Sequence, residues 1–304
     1  MFFLSEYSRK YFGAATLEEI LEEIRKHKIE RAVAAFSGGM DSAVAVYVCR
    51  ELCGIEVKEA IFVDHYWIWD ALREQVPAVA AQLGLRLYRL DITEQLRKRL
   101  LGAPGKNVCR ICTRIKYEIL AKKARELGYQ YIITGHNGTD LLAFALLDYY
   151  KKGLVRSLEV APFPPRYARR YGVVFVRPLI RLAKQDIERL AEAFRVPYIR
   201  VYEPGDKPHK VHREGCTLQH IDNEAIITED ILEKVKLLNE QVNKIARQYK
   251  IPAAIKYPSL RIEILCSDPV TKKLLEQEIQ KVLQESNARS ERDNPNIQRT
   301  RKHS

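Results

Sequence analysis

The sequence lacks the features that mark membrane and secreted proteins. No run reaches the ~20 uninterrupted apolar residues of a membrane span. The most apolar stretch, 32–48, is interrupted by Ser-Gly-Gly and Asp41. The first 13 residues contain Glu6, Arg9 and Lys10 and no long apolar run, which is unlike a secretory signal. We therefore expect a cytoplasmic protein without a membrane partner.

Cysteine is scarce, and acidic residues are outnumbered by basic ones. The 304 residues include only six cysteines. In a cytoplasmic chain of this length, cysteines are better candidates for metal binding or chemistry than for a disulfide framework. Lys and Arg total 51 against 39 Asp and Glu, a formal net charge of +12. This charge suits a polyanionic partner such as nucleic acid, although a basic protein of another function is the alternative.

Short apolar segments alternate with amphipathic segments of helical period between residues 31 and 176. This alternation predicts an α/β fold with a doubly wound, mostly parallel sheet. Longer helical patterns between residues 228 and 283 predict a smaller, mainly helical C-terminal domain. Irregular segments are expected at 155–172, which is rich in Pro and Arg, and at 203–220. The expected division is an N-terminal amphipathic segment (1–28), the α/β domain (29–220), the helical domain (221–285) and a basic disordered tail (286–304).

A glycine-rich segment directly follows the first expected strand and opens a helix. It reads Ser37-Gly38-Gly39-Met40-Asp41-Ser42. Paired glycines let the backbone turn its N–H groups toward an anion, while serine hydroxyls and the helix N-terminus add donors. The lysine that ends a Walker phosphate loop is missing, which argues against a kinase or simple ATPase. The segment predicts a site for pyrophosphate; the alternative is a turn that binds nothing.

A second polar segment ends a later strand and should face the same crevice. It reads Thr134-Gly135-His136-Asn137-Gly138-Thr139-Asp140. The two segments resemble the SGGxDS and TGHNxDD motifs of the PP-loop ATP pyrophosphatases, and Arg177-Pro178-Leu179 resembles the RPL segment of that family. Members of the family adenylate a carbonyl oxygen and release pyrophosphate, which is the activity that the resemblance implies.

The same resemblance implies a set of ATP and Mg²⁺ contacts. Asp41 and Asp140 are the implied carboxylate ligands of Mg²⁺, whereas Thr139 stands where the family has the first of two aspartates. Asp64 and His65 are second-tier candidates near the adenine and ribose, where backbone atoms often bind. The implied ATP contacts are Ser37, Gly38, Gly39, Asp41, Ser42, Val63, Gly135 and His136.

Three cysteines have the positions of possible metal ligands. Cys109 and Cys112 are separated by two residues at the start of an expected helix, so both thiolates could reach one metal centre. Cys216 lies in an irregular segment that also contains His209, His212 and His220. The remaining cysteines, Cys49, Cys53 and Cys266, lie in apolar surroundings and are expected to be core residues.

The order of these motifs resembles the tRNA 2-thiolation branch of the PP-loop family, over about residues 30–220. The resemblance implies a [4Fe–4S] cluster held by Cys109, Cys112 and Cys216, and a catalytic role for Lys116 beside Asp41 and Asp140. The spacing alone leaves open a zinc site, a catalytic disulfide or persulfide, and the absence of any metal.

The resulting hypothesis is an ATP-dependent tRNA sulfurtransferase. Its partners would be tRNA, contacted in part by the arginines of 166–170, and a sulfur donor, which could be sulfide, a persulfide or a sulfur-carrier protein. A homodimer is possible by family analogy. The alternatives are an amidotransferase, ligase or sulfurtransferase that acts on a small molecule, and a nucleotide sensor or RNA-binding module without catalytic activity.

Overall fold

The computed structural model describes residues 2–155, 160–199 and 216–293, which form two compact units. Residues 203–215 of the expected irregular segment 203–220, with His209 and His212, and residues 294–304 of the expected tail lie outside the described residues. The expected domain boundaries near 28, 220 and 285 stay predictions. The first unit takes its described residues from Met1–His65, Asp70–Ile92 and Arg114–Arg200, and the second from Tyr66–Trp69, Thr93–Thr113 and Val201–Ser304.

The first unit contains a parallel sheet of five strands. Its strands are β1 Val33–Ala35, β2 Glu59–Asp64, β3 Arg86–Asp91, β4 Tyr131–Ile133 and β5 Val174–Val176. Their order is β3-β2-β1-β4-β5, and every neighbouring pair is parallel. The chain moves outward from β1 to β3 and then returns to the other side at β4, which creates a topological switch point between β1 and β4. The expected doubly wound α/β fold is confirmed.

Helices of the first unit flank this sheet, and other helices make up most of the second unit. One π-helical turn, Val48–Leu52, follows the helix that opens after β1. The last helix includes residues 286–293, where the sequence predicts the start of a tail. The helices are α1 Glu6–Phe12, α2 Leu17–Arg25, α3 Met40–Tyr47, α4 Asp70–Gln82, α5 Thr93–Leu100, α6 Val108–Glu126, α7 Gly138–Lys152, α8 Pro165–Tyr171, α9 Lys184–Ala193, α10 Glu229–Tyr249 and α11 Pro269–Asp293.

Local sequence explains the elements that lead into the sheet. Thr16 caps α2 by accepting a hydrogen bond from the Glu19 amide at 3.4 Å, and the apolar face of this helix is buried. Val33 and Ala34 of β1 are fully buried, as expected for a central parallel strand that is covered on both faces. The chain then reaches the glycine-rich segment at the carboxyl end of β1.

Helix α8 lies within the segment that the sequence predicts to be an irregular loop. Pro165 is its first residue, where the fixed φ of proline favours a helix and its missing N–H is not needed. Gly172 ends the helix with φ +68°, in the left-handed region. Proline and glycine therefore act as the start and stop of a helix, not as breakers within a loop.

A buried carboxylate anchors the N-terminal residues to α9. Asp186 is fully buried and accepts hydrogen bonds from the Ser5 amide at 2.9 Å, the Ser5 hydroxyl at 2.6 Å and the Ser8 hydroxyl at 2.5 Å. Arg189 pairs with the same carboxylate at 3.1 Å. The Ser8 hydroxyl also accepts a hydrogen bond from the Ala183 amide at 2.8 Å, so it fixes the start of α9.

The second unit is mainly helical, as the sequence predicts. Its core packs α10 and α11 on the antiparallel pair β6 Ala253–Ile255 and β7 Ile262–Ile264. Buried residues of this core include Val242, Ile255 and Leu275. Among the helices that the structure describes, none combines the length and the apolar character required to span a bilayer.

Replacing Asp186 by Ala should destabilise the first unit, because four donors would lose their buried acceptor. We expect the free energy of unfolding to fall by about 3 kcal/mol. Urea denaturation monitored by circular dichroism measures this loss. Glu188→Ala is the matched control, since Glu188 is an exposed carboxylate on the same helix. Equal stability of the two variants would contradict the anchoring role.

Candidate active site

The glycine-rich segment forms a closed loop between β1 and α3. The Ser42 hydroxyl accepts a hydrogen bond from the Ser37 amide at 3.3 Å and donates one to the Gly39 carbonyl at 2.8 Å. Gly38 has φ +75°, and a Cβ added there would lie 2.6 Å from Ile199 Cδ1. Glycine is therefore required by both backbone conformation and space. Gly39 caps α3 without a side chain, which leaves the first amides of the helix for an anion.

The second polar segment lies directly against this loop. A Cβ added to Gly135 would lie 2.7 Å from both the Asp41 carbonyl carbon and the Ser42 nitrogen. The two backbones can approach this closely only because residue 135 has no side chain. The structure therefore brings together the two predicted segments at the switch point of the sheet.

The carboxylates of Asp41 and Asp140 share one amide. Asn137 Nδ2 donates to Asp140 Oδ2 at 2.9 Å and to Asp41 Oδ2 at 3.3 Å. Asn137 Oδ1 accepts from the Asp140 amide at 2.9 Å and so caps α7. Lys184 Nζ, at the first residue of α9, lies 2.5 Å from Asp41 Oδ1.

These two carboxylates fit the chemistry of an Mg²⁺ site, because Mg²⁺ in nucleotide sites commonly takes one or two carboxylates and completes its shell with phosphates and water. Among the residues that the structure describes, no group of three or more His, Cys, Asp or Glu side chains is placed to hold a metal ion. Asp41 and Asp140 as Mg²⁺ ligands stay a prediction, and Lys184 pairs with the first of them.

The expected adenine region is the end of β2, where Val63 is buried. The next residue, Asp64, is fully buried and engages two arginines: Arg73 Nε lies 2.9 Å from its Oδ1 and Arg89 Nε lies 2.7 Å from its Oδ2. This carboxylate therefore ties β2 to β3 and α4. His65 is also fully buried. A backbone contact from Val63 to adenine stays a prediction.

His136 is part of a stack of aromatic rings. Its Nδ1 lies 3.0 Å from Thr134 Oγ1, and its ring is parallel to that of Tyr117 with 6.3 Å between centroids. The pKa of His136 is lowered to about 4, mainly by burial and to a smaller extent by the positive charge of Arg177. The ring is therefore neutral at pH 7. Tyr117 also stacks on Tyr167, with 4.9 Å between centroids.

The predicted catalytic lysine and the three predicted cluster ligands differ in their exposure to solvent. Lys116 is half-buried on α6. Cys109 is exposed, Cys112 buried and Cys216 half-buried, and all three belong to the second unit. Thiolates suit iron, so the donor chemistry fits a cluster. Their arrangement does not, since no three-ligand metal group occurs in the part of the chain that the structure describes.

Of the three cysteines expected in the core, Cys49 is buried, whereas Cys53 and Cys266 are only half-buried. Burial raises the pKa of Cys49, and burial likewise raises the pKa of Cys53 to about 11 although the charge of Arg25 opposes the rise. Both thiols are therefore protonated at neutral pH, which makes them poor nucleophiles and metal ligands. Cys266 donates a hydrogen bond to the Asp268 carbonyl oxygen at 3.4 Å.

Comparison with known protein families agrees with this geometry. The PP-loop domain matches residues 13–201, which is more than half of the chain and includes both loops. The chain belongs to the PP-loop family. The Ser37–Ser42 segment is thus the PP-loop itself, and residues 134–140 are the second segment against which it packs.

Several proteins resemble this PP-loop protein over most of its length or over about the length of the domain. An uncharacterised protein of Methanocaldococcus jannaschii is 29% identical over 273 residues, which cover 86% of this chain and 92% of that protein. A tRNA-cytidine(32) 2-sulfurtransferase of Anaeromyxobacter sp. strain K is 28% identical over 64% of this chain and 67% of its own. The enzyme of that name from Klebsiella pneumoniae is 27% identical over 59% of this chain and 58% of its own length.

Sequence reasoning missed two parts of the site. Lys184 is 143 residues from Asp41, and the signal that could have found it is its place at the start of a helix shortly after Arg177-Pro178-Leu179. The second is the stack of Tyr117, Tyr167 and His136, which joins α6, α8 and the segment 134–140. The one signal in the sequence is the four-residue spacing of Tyr167 and Tyr171.

Replacing Gly135 by Ala should weaken ATP binding, because the added methyl group would push the second loop away from the PP-loop. We expect a loss of about 10-fold or more in affinity for a non-hydrolysable ATP analogue. Isothermal titration calorimetry measures it. Gly54→Ala is the control: Gly54 has φ +72° with nothing within 4 Å of an added Cβ, so this variant suffers backbone strain without a collision. Equal affinities in the two variants would contradict the close-approach account.

Proposed function

We propose that this PP-loop protein is an ATP-dependent tRNA sulfurtransferase that adenylates a carbonyl oxygen of a tRNA base and replaces it with sulfur. The observation that carries the proposal is the close approach of the PP-loop and the second segment at Gly135, in a chain whose relatives include proteins named tRNA-cytidine(32) 2-sulfurtransferase. The net charge of +12 further supports a nucleic-acid substrate.

The proposed reaction has two chemical steps. The base oxygen attacks the α-phosphorus of ATP, and the bond from that phosphorus to pyrophosphate breaks. A hydrosulfide nucleophile then attacks the ring carbon, the carbon–oxygen bond breaks, and AMP leaves with the oxygen while the sulfur releases its proton to solvent. ATP is needed because a carbonyl oxygen is a poor leaving group until it is adenylated.

Residues of the first unit would serve the first step. The amides at the start of α3 and the hydroxyls of Ser37 and Ser42 would bind the pyrophosphate portion of ATP. Lys116 would stabilise the charge that develops at the α-phosphate or the base oxygen. Asp41 and Asp140 would hold Mg²⁺, which supplies positive charge beside the phosphates.

The three cysteines of the second unit would serve the second step, in which sulfur is transferred. Cys109, Cys112 and Cys216 would hold a [4Fe–4S] cluster, which would supply iron to bind sulfur. Because these thiols are not gathered in the described arrangement, the proposal requires that metal binding draw them together, as ligand binding commonly does in metal sites that form on loading.

Helix α8 offers a surface for the RNA backbone. Arg166, Arg169 and Arg170 are exposed, and the helix contains no carboxylate. Arg166 lies over the ring of Tyr167 at 4.9 Å and Arg170 over that of Tyr171 at 5.2 Å, contacts that favour one orientation of each guanidinium. Oriented arginines suit phosphate oxygens.

The proposal includes partners and a location that follow from the reaction. A sulfur donor must supply reduced sulfur as sulfide, as a persulfide or on a carrier protein. The reaction would take place in the cytoplasm, where tRNA is the substrate. A homodimer is part of the proposal by family analogy alone.

The direct test uses anaerobically purified protein with tRNA, ATP and sulfide. We expect iron and sulfide in the protein, thiolated nucleosides by mass spectrometry of digested tRNA, and AMP in equal amount. Cys216→Ala should lose iron and reduce thiolation by more than about 100-fold, whereas Cys266→Ala should keep both, because Cys266 is not a proposed ligand.

Three outcomes would count against this account. Full thiolation by iron-free protein would overturn the cluster, and full activity of Cys216→Ala would overturn its three-ligand form. AMP formation that depends on a small acceptor and ignores tRNA would overturn the substrate assignment.

Replacing Arg169 and Arg170 by Ala should weaken tRNA binding at every sequence and reduce the slope of log affinity against log salt. Removing one arginine–phosphate pair should reduce that slope by about one. Fluorescence anisotropy across a salt series measures both effects. Arg86→Ala is the control, since Arg86 is also exposed but lies on the opposite edge strand, β3. If Arg86→Ala lowers the slope as much, α8 is not the RNA surface.

A further inference from the structure

The PP-loop contains no lysine, yet the structure brings one to it from a distant part of the chain. Lys184 Nζ lies 2.5 Å from Oδ1 of Asp41, the fifth residue of the loop. The residue between Gly39 and Asp41 is Met40, whose side chain cannot neutralise a phosphate. Lys184 thus supplies an ammonium group that the loop itself lacks.

Lys184 also stands where three helices begin. α3 starts at Met40, α7 at Gly138 and α9 at Lys184. Asn137 links the first two starts through Asp41, and the Lys184 amide donates to Thr139 Oγ1 at 3.0 Å, which links the second and third. Helix N-termini carry partial positive charge, so this convergence with an added ammonium favours a polyanion.

The Lys184–Asp41 pair is accessible to a ligand. The Lys184 side chain is 41% exposed and that of Asp41 is 27% exposed. Pairs that remain in contact with water contribute little to stability, which makes a purely structural role a poor explanation for this one. Such a pair can also exchange partners at little cost when a more highly charged anion arrives.

The contact with Lys184 gives a reason for threonine at position 139. Its hydroxyl holds the backbone of Lys184 without adding a charge. An aspartate at this position would place a third carboxylate beside Asp41 and Asp140 and would compete for the Lys184 ammonium. Threonine keeps the anchor and leaves the ammonium better able to turn toward phosphate.

We propose that Lys184 is a pyrophosphate-binding residue of this site. In the free protein its ammonium group pairs with Asp41, and when ATP binds it contacts the β- and γ-phosphate oxygens instead. As the bond between the α-phosphorus and the bridging oxygen breaks, negative charge accumulates on the departing pyrophosphate, and the ammonium stabilises it. The inference rests on the proposed cleavage of ATP between its α- and β-phosphates.

The test measures binding of inorganic pyrophosphate and of AMP to the full-length protein by isothermal titration calorimetry. Lys184→Met should weaken pyrophosphate binding by about 10-fold or more, the effect of one charge-assisted hydrogen bond, and change AMP binding by less than about twofold. Lys184→Arg should recover most of the affinity, because it restores the positive charge. Lys58→Met, which removes an exposed lysine of the same unit, should match the wild type.

Unchanged pyrophosphate affinity in Lys184→Met, with a lowered melting temperature, would overturn the inference in favour of a structural ion pair. Equal losses for pyrophosphate and AMP would also overturn it, because they would indicate a distorted site. Pyrophosphate binding that depends on Lys184 in a protein that does not thiolate tRNA would support the inference and overturn the proposed substrate instead.

Discussion

The backbone contact between Gly135 and the residues that open α3 is the constraint on which the site depends. Parallel strands β1 and β4 are neighbours although they are far apart in sequence, so the loops that follow them emerge side by side. With no Cβ at position 135, the second loop can lie against Asp41 and Ser42. Without this approach, Asn137 could not reach the Asp41 carboxylate, and α3 and α7 would not converge on one phosphate position.

The charges around Asp41 are balanced in a way that suits a polyanion. Asp41 is held on one side by Lys184 and on the other by Asn137, and the three helix starts supply partial positive charge. The carboxylates suit a hydrated divalent cation, whereas the amides and the ammonium suit phosphate oxygens. A bound nucleotide would therefore meet donors and counter-charges already in place, which is the condition for electrostatic stabilisation without reorganisation.

Local patterns made the sheet and its two loops predictable from the sequence. Apolar runs, helical periods and the glycines of residues 38, 39 and 135 each reflect constraints within a few residues. Lys184 was not predictable, because its importance arises from a contact across 143 residues. Helix α8 was not predicted, because Pro165 and Gly172 mark the start and the end of this helix, whereas proline and glycine are equally typical of loops. The spacing of Cys109 and Cys112 suggested a metal, but a spacing cannot show whether Cys216 comes close enough to complete the site.

The central claim is that ATP transfers its adenylyl group to a base oxygen, and the origin of one oxygen atom in AMP tests it most directly. The reaction is run with tRNA, ATP and sulfide in water enriched in ¹⁸O, and the AMP is analysed by mass spectrometry. If the base oxygen attacks the α-phosphorus, AMP carries that oxygen and contains no ¹⁸O from the solvent. AMP that contains one solvent ¹⁸O would show that water attacks the α-phosphorus, and would contradict the account.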